Sequence, residues 1–265
     1  MDRPLPYDLS QPQSDKPVLL LLHGFMGSRH DWDDLVEYFS GTYRLLTVDL
    51  PGHGEFHIDE ERFITISRVA VMLAELLDEL SIERVDVLGY SMGGRVALNF
   101  AVYFPHRCHR VVIVSASPGL KSARERLIRI KHDKQLADRL RRESMGPFVS
   151  DWYQQQVFSS LEHHPEIRDE MMSRRLENDP VELSLALNML GLGMMAPLGK
   201  KLANLKVPLL YIAGELDDKY SRIGRQLADL CPSVEVRIIS RAGHLVHCEQ
   251  PETFRSLVRD FLTRD

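Results

Sequence analysis

The sequence predicts an α/β protein whose mostly parallel central sheet is flanked by helices and interrupted by one helical insertion. Three observations predict it. Six short, almost wholly apolar runs recur along the chain, and runs of that length read as strands buried on both faces. Stretches with apolar residues three and four apart lie between them, the spacing of one buried helix face. One long segment, residues 119–206, carries helical patterning and no strand run.

The strand runs are residues 18–22, 45–48, 85–88, 111–114, 209–212 and 234–239. The first lies between Pro17 and His23-Gly24, and the second is ended by Asp49 and Pro51-Gly52. Helical spacing covers residues 32–39, 66–80, 92–104 and 254–262; Pro105 stops the third, and Pro251-Glu252 starts the last. Strand–helix alternation on this scale implies a parallel sheet covered on both sides. The polar, proline-punctuated N-terminus lacks a clear first hairpin. Residues 119–206 are too long for a plain connection, with breaks at Gly146-Pro147, Pro165, Pro180 and Pro197. The expected organisation is therefore a core of residues 1–118 and 207–265 and a helical cap, or lid, of residues 119–206.

Composition excludes several classes. The chain is 44% hydrophobic and 27% charged, ordinary for a globular protein and large enough to bury a core without staples. A net charge of −5 suggests no whole-molecule attraction to nucleic acid. Cys108, Cys231 and Cys248 are far apart and lack C-x-x-C spacing, so neither a disulfide framework nor a zinc site is expected. Residues 1–16 hold no apolar leader, and the run 18–22 is too short to span a bilayer. The expectation is a cytoplasmic protein with no membrane partner. Within this acidic chain, residues 119–143 carry nine Lys or Arg against four acids. That surplus reads either as a solvated helix face or as a local field attracting an anionic small molecule.

Gly89-Tyr-Ser-Met-Gly93 fits G-x-S-x-G between a strand and a helix, the context of the α/β-hydrolase nucleophile elbow. Ser91 would stand above the sheet at a helix N-terminus, where unpaired N–H groups favour negative charge. Serine needs a base. His244 lies in Ala242-Gly-His-Leu245, on the loop after the sixth strand; His247 is close, but the preceding strand and glycine favour His244. Glu215, Asp217 and Asp218 follow the fifth strand, and Asp217 is chosen to hold the imidazole tautomer. The Met92 and Phe25 amides would form the oxyanion hole. Arg95, one helical turn after Ser91, is either a guanidinium snorkelling to solvent or a clamp for a carboxylate beside the nucleophile.

Leu22-His-Gly-Phe25, Asp49-Leu-Pro-Gly-His-Gly54, Gly89-Tyr-Ser-Met-Gly-Gly-Arg95, Ala213-Gly-Glu-Leu-Asp217 and Gly243-His244 resemble the α/β-hydrolase superfamily across nearly the whole chain. Asp151-Trp-Tyr-Gln-Gln-Gln-Val-Phe158, Arg175-Leu-Glu-Asn178 and the Tyr and Arg flanking Ser91 are similar to the 2-succinyl-6-hydroxy-2,4-cyclohexadiene-1-carboxylate synthases of menaquinone and phylloquinone biosynthesis. That resemblance implies a carbon–oxygen lyase that eliminates pyruvate from a ring bearing an enolpyruvyl ether, a succinyl group and a carboxylate. It implies a small tricarboxylate substrate, no metal and no organic cofactor. Arg95, Arg129 and Arg175 would bind the substrate, with Arg174 an alternative to its neighbour, and Tyr90 and Trp152 would wall the pocket. Gln156 stands where that family commonly has proline. The competing reading is a carboxylester or carbon–carbon hydrolase that forms an acyl-serine. A monomer is expected.

Overall fold

The computed structural model describes residues 4–264. Its strands are β1 (Tyr7–Leu9), β2 (Val18–Leu22), β3 (Arg44–Val48), β4 (Val85–Tyr90), β5 (Cys108–Val114), β6 (Leu209–Gly214) and β7 (Val234–Ile239). They form one sheet in the order β1-β3-β2-β4-β5-β6-β7. β1 pairs antiparallel with β3, and every other pair is parallel. The carboxyl ends of β2 and β4–β7 therefore share one edge of the sheet, where α/β proteins place their sites.

The helices are α1 (Asp33–Phe39), α2 (Ile66–Glu79), α3 (Met92–Tyr103), α4 (Ala123–Leu140), α5 (Met145–Tyr153), α6 (Pro165–Arg175), α7 (Pro180–Leu190), α8 (Gly199–Leu202), α9 (Asp218–Leu230), α10 (Val246–Glu249) and α11 (Pro251–Leu262). Alternation along β2 shows how the layers form. Leu20 and Leu22 enter a cluster with α2 and α3, whereas Leu19 and Leu21 enter one with α1 and α11. Both faces of the sheet are thus apolar, which is why its strands read as unbroken apolar runs.

Two elements lie outside the sequence expectation. β1 is a three-residue edge strand with two exposed residues, and an edge needs no apolar run. α9 packs Tyr220, Ile223 and Leu227, three and four residues apart, against the core, with Ser221 and Gly224 buried beside them.

Between β5 and β6 the described chain forms α4–α8 and no strand. Ser122 and Glu125 close a reciprocal capping box at the start of α4, which satisfies two otherwise orphaned amides. Phe148, Tyr153, Leu161 and Leu187 from this segment bury against Met26 and Leu245, from the loops after β2 and β7. The helical segment consequently lies over the carboxyl edge of the sheet.

Candidate active site

The turn from β4 to α3 holds Ser91 at φ 51° and ψ −104°. A non-glycine residue adopts this backbone only when its surroundings impose it. Here the Ser91 amide donates to the Val114 carbonyl at 2.9 Å and the Gly93 amide to the His23 carbonyl at 2.9 Å. A Cβ at Gly93 would collide with the Leu22 carbonyl, so only glycine lets α3 start this close to β2.

Three distant stretches then meet. His244 Nδ1 lies 2.7 Å from Asp217 Oδ2, and His244 Nε2 lies 3.3 Å from Ser91 Oγ. Both His244 and Asp217 are 4% exposed, which keeps water from competing for their bond. The carboxylate can only accept, so Nδ1 carries the hydrogen and the Nε2 lone pair faces the serine. Asp217 also caps α9, its Oδ1 accepting from the Tyr220 amide at 3.1 Å. Glu249 steadies the base: its two carboxylate oxygens accept from the Gly243 and Leu245 amides at 2.8 and 3.1 Å.

The neighbouring alternatives have other places. His247 stacks obliquely on Trp32 and Tyr90, with ring centroids 5.2 and 4.7 Å away. Burial lowers its pKa to about 4, so it packs there as a neutral ring. Glu215 and Asp218 are exposed, and Glu215 accepts from the Arg241 amide at 3.2 Å.

Ser91 and His244 open into a cavity of about 540 Å³. Tyr90 and Trp152 line it, and Trp152 packs on Phe25 at 5.0 Å between ring centroids. Phe25 and Met92 line it too, and neither amide donates a hydrogen bond among the described residues. Arg95 reaches it from α3. Arg95 Nη1 donates to the Leu190 carbonyl at 2.6 Å, and no carboxylate partners it among the described residues. Burial, reinforced by the nearby Arg129 charge, lowers the Arg95 pKa to about 10. Arg95 itself is half-buried.

Arg129 also lines the cavity, its Nε donating to Asp133 at 2.7 Å. Arg175 lines it, but its guanidinium grips Asp31 through two parallel hydrogen bonds, so its charge is already matched. Asp31 and the buried setting act in opposite directions on this guanidinium, and the net effect raises its pKa. Arg174 instead pairs with Glu170 on the surface. Lys219 and Arg222 complete the lining cations. Sequence reasoning missed both, which lie in the first turns of α9, a helix outside the sequence expectation. Among the described residues no group of three His, Cys, Asp or Glu side chains could hold a metal ion.

The alpha/beta hydrolase fold family matches residues 17–251. A Bacillus subtilis protein provisionally named 2-succinyl-6-hydroxy-2,4-cyclohexadiene-1-carboxylate synthase is 38% identical, over 93% of this chain and 90% of that protein. A Serratia proteamaculans protein of the same name is 32% identical, over 96% of each. The solved structure of MenH from S. aureus superposes with a TM-score of 0.92 at 32% identity, covering 97% of both chains.

Proposed function

The chain belongs to the alpha/beta hydrolase fold family and, within it, to the 2-succinyl-6-hydroxy-2,4-cyclohexadiene-1-carboxylate synthases, and on that premise we propose that it eliminates pyruvate from 2-succinyl-5-enolpyruvyl-6-hydroxy-3-cyclohexene-1-carboxylate. The proposal makes it a carbon–oxygen lyase of menaquinone or phylloquinone biosynthesis, acting as a cytoplasmic monomer. One observation carries the reading: a Ser91–His244–Asp217 chain opens into a cavity whose Arg95 pairs with no carboxylate among the described residues.

Ser91 Oγ, its proton drawn toward His244 Nε2, takes the ring proton beside the succinyl carbonyl. The electron pair spreads onto that carbonyl oxygen, which the Phe25 and Met92 amides stabilise as it gains charge. The pair then moves through the ring double bond and expels the enolpyruvyl oxygen, leaving the conjugated diene. The departing enolate gains a proton and becomes pyruvate. Asp217 stabilises the imidazolium formed on the way.

Arg95 and Arg129 bind substrate carboxylates, and Tyr90 and Trp152 hold the ring between aromatic walls. Arg175 contributes as the paired wall of the cavity. Residues 119–206 act as the cap that supplies Arg129, Trp152 and Arg175.

The purified chain with the enolpyruvyl substrate is expected to release pyruvate without added metal. Faster turnover of p-nitrophenyl acetate than of that substrate would instead establish the acyl-serine hydrolase. Ser91→Ala is expected to lose most of the rate.

A further inference from the structure

The geometry points to His23 as a positioning residue that aims the Phe25 amide at the reacting oxygen, an inference that rests on the proposed oxyanion role of that amide. His23 is fully buried, and its ring makes two hydrogen bonds. Nε2 accepts from the Leu50 amide at 3.0 Å, and Nδ1 lies 2.7 Å from the Gly24 carbonyl oxygen. A backbone N–H can only donate, so Nε2 is the bare nitrogen and Nδ1 carries the hydrogen. The tautomer is therefore dictated by Leu50, and Nδ1–H donates to Gly24.

That carbonyl belongs to the Gly24–Phe25 peptide. The peptide is planar and trans, so its C=O and N–H point in opposite directions. Fixing the Gly24 oxygen fixes the Phe25 N–H. The Gly27 amide donates to the same oxygen at 3.0 Å. Two donors on one carbonyl polarise the peptide and strengthen its N–H as a donor.

His23 also ties this peptide to the nucleophile. Its own carbonyl accepts from the Gly93 amide at 2.9 Å, one residue past Met92. A Cβ at Gly24 would lie 2.7 Å from the Tyr90 ring and 3.7 Å from Ser91 Cβ, so the peptide passes directly beside the serine. One residue thus holds both proposed donors in register, through its ring for Phe25 and through its backbone for Met92.

Two near-isosteric substitutions separate this role from general support of the fold. In His23→Asn the amide nitrogen can occupy the Nδ1 position and keep the bond to Gly24. In His23→Gln the amide oxygen can occupy the Nε2 position and keep only the bond from Leu50. Each loses one buried hydrogen bond, so both should be destabilised alike in urea. His23→Gln is expected to lower kcat for pyruvate release by about 100-fold with little change in KM, and His23→Asn to recover at least about tenfold of that.

Equal kcat values for the two variants, or a His23→Gln kcat within about threefold of the unaltered chain, would overturn the inference. The imidazole nitrogen shifts of the unaltered protein decide the case if the Gln variant does not fold. A hydrogen on Nδ1 supports the role, and a hydrogen on Nε2 overturns it. Failure of the unaltered chain to release pyruvate would sink the lyase reading instead, and the ring tautomer still reports on His23.

Discussion

Arg175 and Asp31 meet through two parallel hydrogen bonds, Nη1 to Oδ1 at 2.8 Å and Nη2 to Oδ2 at 2.7 Å. The pair stands in the wall between the catalytic cavity and a second cavity of about 510 Å³. Their side chains are 8% and 11% exposed, so neither charge has water to fall back on. Removing one partner strands the other, which costs about 3–5 kcal/mol in buried pairs. Asp31→Ala should lower the unfolding free energy in urea by that order. The Asp31→Leu, Arg175→Met double variant should regain most of it, because both buried charges are gone. A loss below about 1 kcal/mol for Asp31→Ala would mean that the pair is solvated.

Arg95 is the opposite case, a half-buried cation whose partner among the described residues is one backbone carbonyl. On the proposed function, a substrate carboxylate supplies its counter-charge. Arg95→Ala should therefore reduce kcat/KM by at least ~2 kcal/mol of transition-state stabilisation, roughly 30-fold. Stability in urea should change little, since the half-buried guanidinium has one carbonyl partner and no ion pair among the described residues. Unchanged steady-state kinetics would leave Arg95 without a role in binding.

The difference between these two arginines marks where the sequence stops being legible. Ser91, His244 and Asp217 each sit in a short local pattern at the end of a strand, and the parallel sheet brings strand ends together. Their convergence follows from topology. The Arg175–Asp31 bond joins residues 144 positions apart, and nothing in either neighbourhood signals the other. Arg175 and Arg95 look alike as sequence. Only packing reveals that one is neutralised by Asp31 and that the other meets a backbone carbonyl instead. β1 escaped notice for a related reason: an exposed edge strand buries too little apolar surface to leave a trace, whereas α9 does carry helical spacing in Tyr220, Ile223 and Leu227.

Acid stability gives a separate test through His247. Burial lowers its pKa from 6.5 to about 4, so the unfolded chain binds the proton more readily than the folded one. The stability it contributes is fully present above pH 6.5. It is lost as the pH falls from 6.5 to about 4, by about 3 kcal/mol for a shift of this size. His247 Nδ1 has no hydrogen-bond partner among the described residues, and the ring is packed against Trp32, Tyr90 and Phe254. Phenylalanine should fit that aromatic setting. Urea unfolding at pH 7 and at pH 4 should show a smaller acid loss for His247→Phe than for the unaltered chain. An identical loss would assign the acid sensitivity to other groups, such as His23 and His53, whose pKa values burial also lowers.

Glu249 bears on the base itself. Its carboxylate is 4% exposed and spans the amides on either side of His244. Glutamine at this position has one oxygen to accept with, and its NH2 group faces an amide donor. One of the two bonds must fail, leaving a buried N–H unpaired at a cost of about 1–3 kcal/mol. The loop can relieve that cost by turning, and turning moves His244 away from Ser91. The bond from Nε2 to Oγ is already 3.3 Å, so it has little slack. Glu249→Gln should therefore lower kcat by roughly 10- to 100-fold while KM changes little, because misplacement of a catalytic group by about 1 Å is worth that much. A loss of thermal stability with kcat preserved would confine Glu249 to holding the fold.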